Sequence, residues 1–305
     1  MNAHGADGSN AAGSKAAGSN VAGRPIARSL LAVASAALLV AGVAVGCSSD
    51  GATGPPPSTT APVGDDAPVL TGAPDPASVP APLWQASLSG PNPLANFRVT
   101  PYNNEGAAAP KLVDAPDVAG RKALEFTVPS GGKRSEVEPN TDVYQEGDEA
   151  WFGFAWFVPQ DFPVGTEGFQ VVAQWKNAGE GSPPVEVKIG GGQFLLDGGA
   201  GGENPQKNYF TMPIGPARTG AQTDIVVHLR FSTDPTKALI DVWMNGQQRI
   251  AGFRPPAGTR YESADSYVKT GLYRDTAIPE DARLDLVDAR IAASYDSAAA
   301  LVGPR

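Results

Sequence analysis

Cysteine is almost absent from this chain of 305 residues, since Cys47 is the only one. A single cysteine excludes an internal disulfide, so the fold cannot depend on covalent cross-links. Histidine is nearly as rare, with His4 close to the N-terminus and His228 in the body. No His/Cys cluster predicts a zinc site, and no G-x-S-x-G turn indicates a serine nucleophile.

The scarcity of histidine also restricts acid–base catalysis. A Ser-His-Asp triad would have to use His228, which lies in the alternating segment DIVVHLRF. In a strand, Val226, His228 and Arg230 would share one face of the sheet. We therefore interpret His228 as a histidine on a sheet face and not as a catalytic residue.

Positive charge is in deficit as well. The net charge is −9, and the segment up to residue 46 carries Lys15, Arg24 and Arg28 against Asp7, which is 3 − 1 = +2 and leaves −9 − 2 = −11 for the remainder. Such an acidic body excludes nucleic acid as a partner. An anionic ligand would have to be attracted by a local cationic patch, because the overall field repels it.

The apolar run over residues 30–45 is shorter than the about 20 residues that a membrane-spanning helix needs. It follows Arg24 and Arg28 and ends in small residues before Cys47, which is the pattern of a secretory signal. The small residues and the lone cysteine resemble the bacterial lipobox, which implies cleavage before Cys47 and attachment of lipid there. The alternatives are an uncleaved N-terminal anchor and an ordinary signal peptide.

These features divide the chain into three parts. Residues 1–46 form a signal peptide with a disordered leader, residues 47–82 form a lipidated cysteine with a Pro/Gly/Ser-rich tether, and residues 83–305 form the globular body. A tether of this composition buries too little apolar surface to fold. We predict an exported bacterial lipoprotein that faces outward from the cell membrane and is a monomer.

Short alternating segments bounded by Gly, Pro, Asn and Asp predict an all-β body. The predicted strands are 84–88, 122–128, 133–138, 151–158, 169–176, 185–189, 192–197, 224–231, 239–244, 267–273 and 284–294. Asn245-Gly246 predicts a hairpin turn, and 279–283 is a candidate helical turn. The acidic segment LDLVDAR (284–290) is expected at a sheet edge. The pattern favours an antiparallel β-sandwich or jelly roll.

Three of these strands combine a polar face with an apolar reverse side. In 267–273 the polar face carries Tyr267, Lys269 and Tyr273, with Gly271 leaving room for an approach to the sheet. In 169–176 the alternation places Val172 on the polar face and Val171 on the opposite face. If the three strands are neighbours, they form one polar patch: Arg134, Glu136, Gln174, Lys176, Lys269 and Tyr273.

This set of side chains suits β-elimination from a uronic-acid polysaccharide. The C5 proton of the sugar is acidic only when its carboxylate is neutralised, and Arg134, Gln174 and Lys176 are groups that can do so. Tyr273 can transfer a proton if Lys269 lies beside it and lowers its pKa, and Glu136 can orient the cations.

The order of the motifs R-S-E (134–136), Q-x-K after an apolar run (174–176) and Y-x-K-x-G-x-Y (267–273) resembles that of the β-jelly-roll polysaccharide lyases. WFGFAWFVPQDFP, VVAQWKN and VKTGLYRD are similar to the heparin-lyase-I-like and glucuronan lyase group, and the motifs themselves are shared with alginate lyases. The resemblance implies an antiparallel, concanavalin-like jelly-roll sandwich.

The resemblance also implies residue roles. Arg134, Gln174 and position 176 would neutralise the substrate carboxylate, and Tyr273 would be the acid, with Lys269 beside it and Glu136 in support. Position 176 is lysine where many of these lyases have histidine. Where that histidine is the base, Tyr273 would have to carry out both proton transfers.

Alternatives remain open at this point. A non-catalytic carbohydrate-binding lipoprotein would use the same fold, and a glycosidase could use Glu136 with Glu138, although Arg134 on the same face keeps a carboxylate ionised. In either case the partner is a polysaccharide, anionic for the lyase. We expect no cofactor. The acidic turn QEGDEA (145–150) is interpreted as a polar turn, with a structural calcium site as the alternative.

Overall fold

The computed structural model describes residues 78–89, 92–98, 106–178, 181–201, 204–262 and 265–301. The predicted signal peptide, Cys47 and the tether up to residue 77 lie outside these ranges. All described residues belong to the unit Val69–Arg305. None of the helices in the described part of the chain is long and apolar enough to cross a membrane.

Strands dominate the described ranges, with two short helices. In chain order they are β1 (Trp84–Gln85), β2 (Phe97–Arg98), β3 (Lys111–Asp114), β4 (Lys122–Val128), β5 (Arg134–Pro139), β6 (Glu149–Val158), β7 (Gln170–Asn177), β8 (Val185–Gly190), β9 (Gln193–Gly198), α1 (Pro205–Asn208), β10 (Phe210–Pro216), β11 (Ala221–Arg230), β12 (Leu239–Met244), β13 (Gln247–Phe253), β14 (Ser266–Arg274), β15 (Ala282–Ala292) and α2 (Tyr295–Ala299).

The strands form two antiparallel sheets. The eight-stranded sheet has the order β13-β12-β11-β6-β15-β4-β3, with β1 paired to β15, and the seven-stranded sheet has the order β10-β9-β8-β7-β14-β5-β2. The architecture is the antiparallel β-jelly-roll sandwich that was predicted from sequence. The candidate site strands β5, β14 and β7 are neighbours in the seven-stranded sheet.

The core lies between the two sheets and is rich in aromatic rings. Phe152, Phe154 and Trp156 alternate along β6 and are buried. The ring of Trp175 on β7 meets Phe152 edge-on at a centroid distance of 5.2 Å, and Phe154 stacks on Trp156 at 4.8 Å. Removing one such ring would cost ~3–5 kcal/mol, because the cavity left behind refills only partly. This core holds the seven-stranded sheet in place beneath the site.

The predicted hairpin is present between β12 and β13. Asn245 and Gly246 have φ angles of 50° and 78°, and Met244 pairs with Gln247 across the turn. A tight turn of this kind needs two residues with positive φ, which asparagine and glycine adopt most readily. The local sequence therefore set this connection and its register.

Two predictions about the C-terminal part are wrong. The segment LDLVDAR is not an edge, because β15 lies between β6 and β4 in the middle of its sheet. Asp285 is buried there, and burial raises its pKa to about 6, while Asp288 is paired with Arg290 at 3.2 Å. No helical turn occurs over 279–283, since Ala282 already begins β15.

Candidate active site

Strand β14 is the centre of the candidate site because it pairs with β5 on one side and β7 on the other. The register places Tyr273 opposite Arg134 and Lys269 opposite Gln174. Directly opposed side chains on neighbouring strands lie close enough to interact. The structure therefore brings together the polar patch that the sequence predicted.

A β-bulge changes which valine faces the site. The register between β7 and β14 shifts between Thr270 and Tyr273, and that between β7 and β8 shifts between Val171 and Ala173. As a result Val171 lines the site cavity and Val172 belongs to the hydrophobic core. The predicted placement of these two valines was wrong, because simple alternation assumes that no extra residue is inserted.

Gly271 serves the backbone and leaves no room for a ligand. It has a φ of +147°, and an added Cβ would lie 2.4 Å from the carbonyl oxygen of Ser135 and 2.7 Å from Cα of Glu136. Any side chain here would clash with β5 itself. The prediction that Gly271 admits an approaching molecule was wrong, and the glycine instead lets β5 pair closely with β14 beside Tyr273.

Glu136 is the most buried carboxyl group of the patch, with 3 % of its surface exposed. Gln174 Nε2 donates a hydrogen bond to Glu136 Oε1 at 2.5 Å, and Arg134 NH1 lies 3.9 Å from Oε2. Burial raises the pKa of Glu136, although Lys269, the Gln174 hydrogen bond and Arg134 each act to lower it. We call Glu136, Gln174, Arg134 and Lys269 the carboxylate cluster; within it, Glu136 holds Gln174 and Arg134 in position.

Tyr273 has a guanidinium group as its neighbouring cation. The Arg134 Cζ atom lies 4.1 Å from the centroid of the Tyr273 ring, and the ring of Phe169 packs edge-on at 5.0 Å. The Lys269 ammonium lies 3.6 Å from Glu138 Oε1 and 5.6 Å from the ring centroid of Tyr267. The predicted influence of Lys269 on Tyr273 stays a prediction, since the contact in the structure is with Arg134.

A cavity of about 380 Å³ opens in front of these residues. Its lining includes Arg134, Gln174, Lys176 and Tyr273. Lys176 is half-buried, and burial together with the charges of Lys269 and Arg134 lowers its pKa. The cavity therefore has cationic and amide donors on its wall next to a phenol.

Sequence reasoning missed the residues that line the rest of the cavity. Glu186 and Lys188 of β8 belong to its wall, and Lys188 forms an ion pair with Asp197 of β9. Tyr209 OH donates a hydrogen bond to Asp197 Oδ2 at 2.8 Å. The alternation in VEVKI already placed Glu186 and Lys188 on one face, and it would have revealed them if β8 had been set next to β7.

His228 lies on the outer face of the other sheet. Its ring nitrogens are 2.8 Å from Asp241 Oδ2 and 2.7 Å from Glu149 Oε1, and its ring stacks on Trp151 at a centroid distance of 4.0 Å. We call His228, Asp241 and Glu149 the histidine cluster. Its place on a sheet face agrees with the interpretation from sequence.

The acidic turn before β6 has protein partners for its carboxylates. Glu146 accepts hydrogen bonds from Ser232 Oγ at 2.5 Å and from the Thr233 backbone N–H at 2.9 Å. Asp148 accepts from the Gln145 backbone N–H at 2.6 Å. Across the described ranges, no group of three or more His, Cys, Asp or Glu side chains could hold a metal ion.

Comparisons with known proteins give one family match and several structural neighbours. The family model described as "Polysaccharide lyase" matches residues 97–287. The endo-β-1,4-glucuronan lyase of the fungus Trichoderma reesei has a similar structure, with 19 % identity and a TM-score of 0.57 over 70 % of this chain and 97 % of that one. Alginate lyase A1-II′, a member of polysaccharide lyase family 7, aligns with 19 % identity and a TM-score of 0.42 over 56 % and 79 % of the two chains. No curated protein sequence matches.

Proposed function

Because this chain belongs to the polysaccharide lyase family, we propose that it cleaves a uronic-acid-containing polysaccharide by β-elimination. The observation that carries the proposal is the contact between Arg134 and Tyr273, at 4.1 Å from ring centroid to Cζ, in the wall of a cavity that Gln174 and Lys176 also line. A carboxylate-binding cation and a proton-transferring phenol thus face the same space.

The first task of such a site is to neutralise the uronate. Arg134 can bind a carboxylate with two parallel N–H donors. Beside it, the Gln174 amide group supplies the N–H that it does not donate to Glu136. Glu136 holds both side chains in position from behind, which leaves little reorganisation for the moment of reaction. Neutralisation makes the C5–H bond of the sugar acidic.

The second task is proton transfer. Lys176 in its neutral form accepts the proton from C5, the electron pair forms the C4–C5 double bond, and the C4–O4 bond breaks. Tyr273 gives its phenolic proton to O4 of the leaving sugar. The resulting ammonium and phenolate return to their starting forms by proton exchange with water.

The lysine at position 176 suits this base role in its surroundings. A lysine of ordinary pKa is a poor base at neutral pH. Burial and the positive charges of Lys269 and Arg134 lower the pKa of Lys176, which is the direction a base requires. This lysine can therefore take the part that a histidine plays in many of the lyases that the motifs resemble.

We further propose that the enzyme acts outside the cytoplasm and is anchored by lipid on Cys47. The support is the basic, apolar and small-residue sequence before Cys47 and the Pro/Gly/Ser-rich segment after it. Metabolic labelling with a fatty-acid analogue tests this proposal: the wild-type chain should carry label and Cys47→Ser should not.

The test of the reaction is ultraviolet absorbance of the C4–C5 double bond during incubation of the purified protein with a panel of uronic-acid polysaccharides. An increase in absorbance with at least one polymer is expected. Retarded migration in an affinity gel without any increase in absorbance would contradict the proposed reaction and would indicate a non-catalytic carbohydrate-binding protein.

A further inference from the structure

The two ends of the site cavity differ in charge. One end carries Arg134 and Tyr273, which are paired on β5 and β14. The other end is formed by Glu186 and Lys188. Tyr273 pairs with Val171 on β7, which in turn pairs with Lys188 on β8, so the ends are two strands or ~10 Å apart. A polymer that crosses these strands with one sugar at Tyr273 places a neighbouring sugar at β8.

The positive charge at the second end is already compensated. The ammonium of Lys188 forms an ion pair with Asp197, and it lies 3.4 Å from the hydroxyl of Tyr209. Asp197 is almost fully buried, with 3 % exposure, and its carboxylate also accepts a hydrogen bond of 2.8 Å from the Tyr209 hydroxyl. Lys188 is therefore held by a carboxylate of the protein and is a poor partner for a carboxylate of the substrate.

Glu186 adds a carboxyl group that faces the cavity. It stands between Gln174 of β7 and Asp197 of β9 in the cross-strand register, and none of the described residues forms a hydrogen bond with it. Burial and the charge of Asp197 raise its pKa to about 8, against the opposing effect of Lys188 and with a further contribution from Glu136. At neutral pH the group is chiefly a neutral acid that can both donate and accept hydrogen bonds.

The remaining charged and titratable groups around Glu186 do not change this balance. Lys176, on β7, lines the same cavity, and Tyr261 lies near enough for Glu186 to raise its pKa, behind the effect of burial. Beside Lys188, Tyr209 is 47 % exposed, and its ring centroid lies 5.9 Å from the Lys188 ammonium. Carboxyl groups next to an exposed aromatic ring are suited to the hydroxyls and the C–H face of an uncharged sugar.

We propose that the end formed by Glu186 and Lys188 binds an uncharged sugar next to the uronate, so that the preferred substrate alternates uronate with neutral sugar. The inference rests on the proposed function and specifies its substrate class. In a polymer made only of uronates, a second carboxylate would enter this end while Lys188 is already paired with Asp197, and a charge that loses water without gaining an unpaired cation is destabilised.

The experiment compares initial rates of double-bond formation by the full chain at pH 7. Hyaluronan, in which glucuronate alternates with an uncharged N-acetylhexosamine, is compared with glucuronan and alginate, in which every unit is a uronate. We expect kcat/KM to be at least about tenfold higher with hyaluronan, because its uncharged sugar loses no charge hydration at this end of the cavity. Equal or faster cleavage of the homopolymers would overturn the inference.

Two variants separate this preference from other causes. Asp197→Asn releases Lys188 and should increase kcat/KM on glucuronan severalfold while decreasing it on hyaluronan, whereas Asp114→Asn removes one exposed charge from the other sheet and should change neither. Raising the pH from 7 to 9 should weaken glucuronan binding by the wild-type protein, because Glu186 becomes ionised. The same change in pH should weaken glucuronan binding by Glu186→Gln less. A parallel response of both proteins would count against the role of Glu186.

Failure of the proposed function would have a different signature. If no polymer yields a double bond, elimination is wrong, and affinity electrophoresis on the same polymers then decides the present inference. Stronger retardation by hyaluronan than by glucuronan would support the uncharged-sugar site, and the opposite order would refute it.

Discussion

The two sheets each bury a set of ionisable side chains, and the two sets are built differently. In the histidine cluster, both ring nitrogens of His228 contact carboxylates, and the ring is covered by Trp151. In the carboxylate cluster, Glu136 Oε2 is buried and has no hydrogen-bond partner in the part of the chain that the structure describes. Only the carboxylate cluster adjoins the site cavity, through Gln174 and Arg134.

This difference separates structural from functional polar groups. A buried polar group without a partner costs stability, so a protein keeps one only where something is gained. The satisfied histidine cluster contributes to folding, and under the proposed function the incompletely satisfied carboxylate cluster prepares donors for a substrate. Burial and charge alone would not have told the two clusters apart, since His228 and Glu136 are 5 % and 3 % exposed.

The strongest test of the comparison is Tyr273→Phe, which removes only the phenolic oxygen from the cavity wall. We expect the rate of double-bond formation to decrease about 10³-fold, since a general acid contributes ~10²–10⁴. The melting temperature should change little, because the ring keeps its packing against Phe169 and Arg134. Tyr295→Phe, on helix α2, is the matched control and should keep full activity. Substantial activity in Tyr273→Phe would contradict its role as acid.

Lys176 allows a test of the base. Lys176→Met should reduce kcat about 10²-fold, within the ~10²–10⁴ that a general base contributes. Lys176→His should retain activity and move the rising limb of the pH–rate profile to lower pH, because histidine loses its proton near pH 6.5 and lysine at higher pH. An unshifted profile in Lys176→His would assign the C5 proton to another group, with Tyr273 the first alternative.

The fold could be predicted from sequence where strands have neighbours on both sides. β4 and β12 match the predicted ranges at both ends. The four strands that were not predicted, β2, β3, β10 and β13, are the four ends of the two sheets. Edge strands need less apolar surface and tolerate proline, as in FTMPIGP of β10, so the alternation of side chains that identifies a strand is weak there.

The site could be predicted to the extent that it follows period-two alternation within single strands. Arg134, Gln174 and Tyr273 were placed correctly because each lies on a regular stretch or beyond a bulge that preserves its face. Val171 was misplaced because a bulge depends on how two strands meet and leaves no mark in one strand alone. The role of Gly271 was mistaken because the close approach of β5 is likewise not visible in the sequence of β14. The pairing of β8 with β7, which brings Glu186 beside Gln174, is likewise a long-range property.

A variant of the histidine cluster examines the other half of the comparison. His228→Asn removes a carboxylate contact and the stacking on Trp151, and it should decrease the free energy of unfolding by ~1.5–3 kcal/mol, the range for hydrogen bonds to charged groups. The rate of double-bond formation per folded molecule should not change, because His228 lies on the eight-stranded sheet, whereas the seven-stranded sheet lines the site cavity. Urea unfolding and initial rates on the same sample measure both, and a loss of rate at unchanged stability would reverse the assignment.

The smallest expected effect concerns the pH dependence of stability. The pKa of Glu186 is about 8 in the folded protein, above its unfolded value of about 4.3. The folded state therefore binds the extra proton, and the stability present below pH 4.3 is lost as the pH rises through 8. Each unit of this shift corresponds to ~1.4 kcal/mol, and water in the open cavity screens part of it.

Urea unfolding at pH 5 and pH 9 should show a smaller decrease in the free energy of unfolding for Glu186→Gln than for the wild type. Glu136 and Asp285 have raised pKa values in both proteins and cancel in that difference. Identical decreases in the free energy of unfolding for the two proteins would mean that the pKa of Glu186 is not raised and that its carboxyl group is ionised at neutral pH.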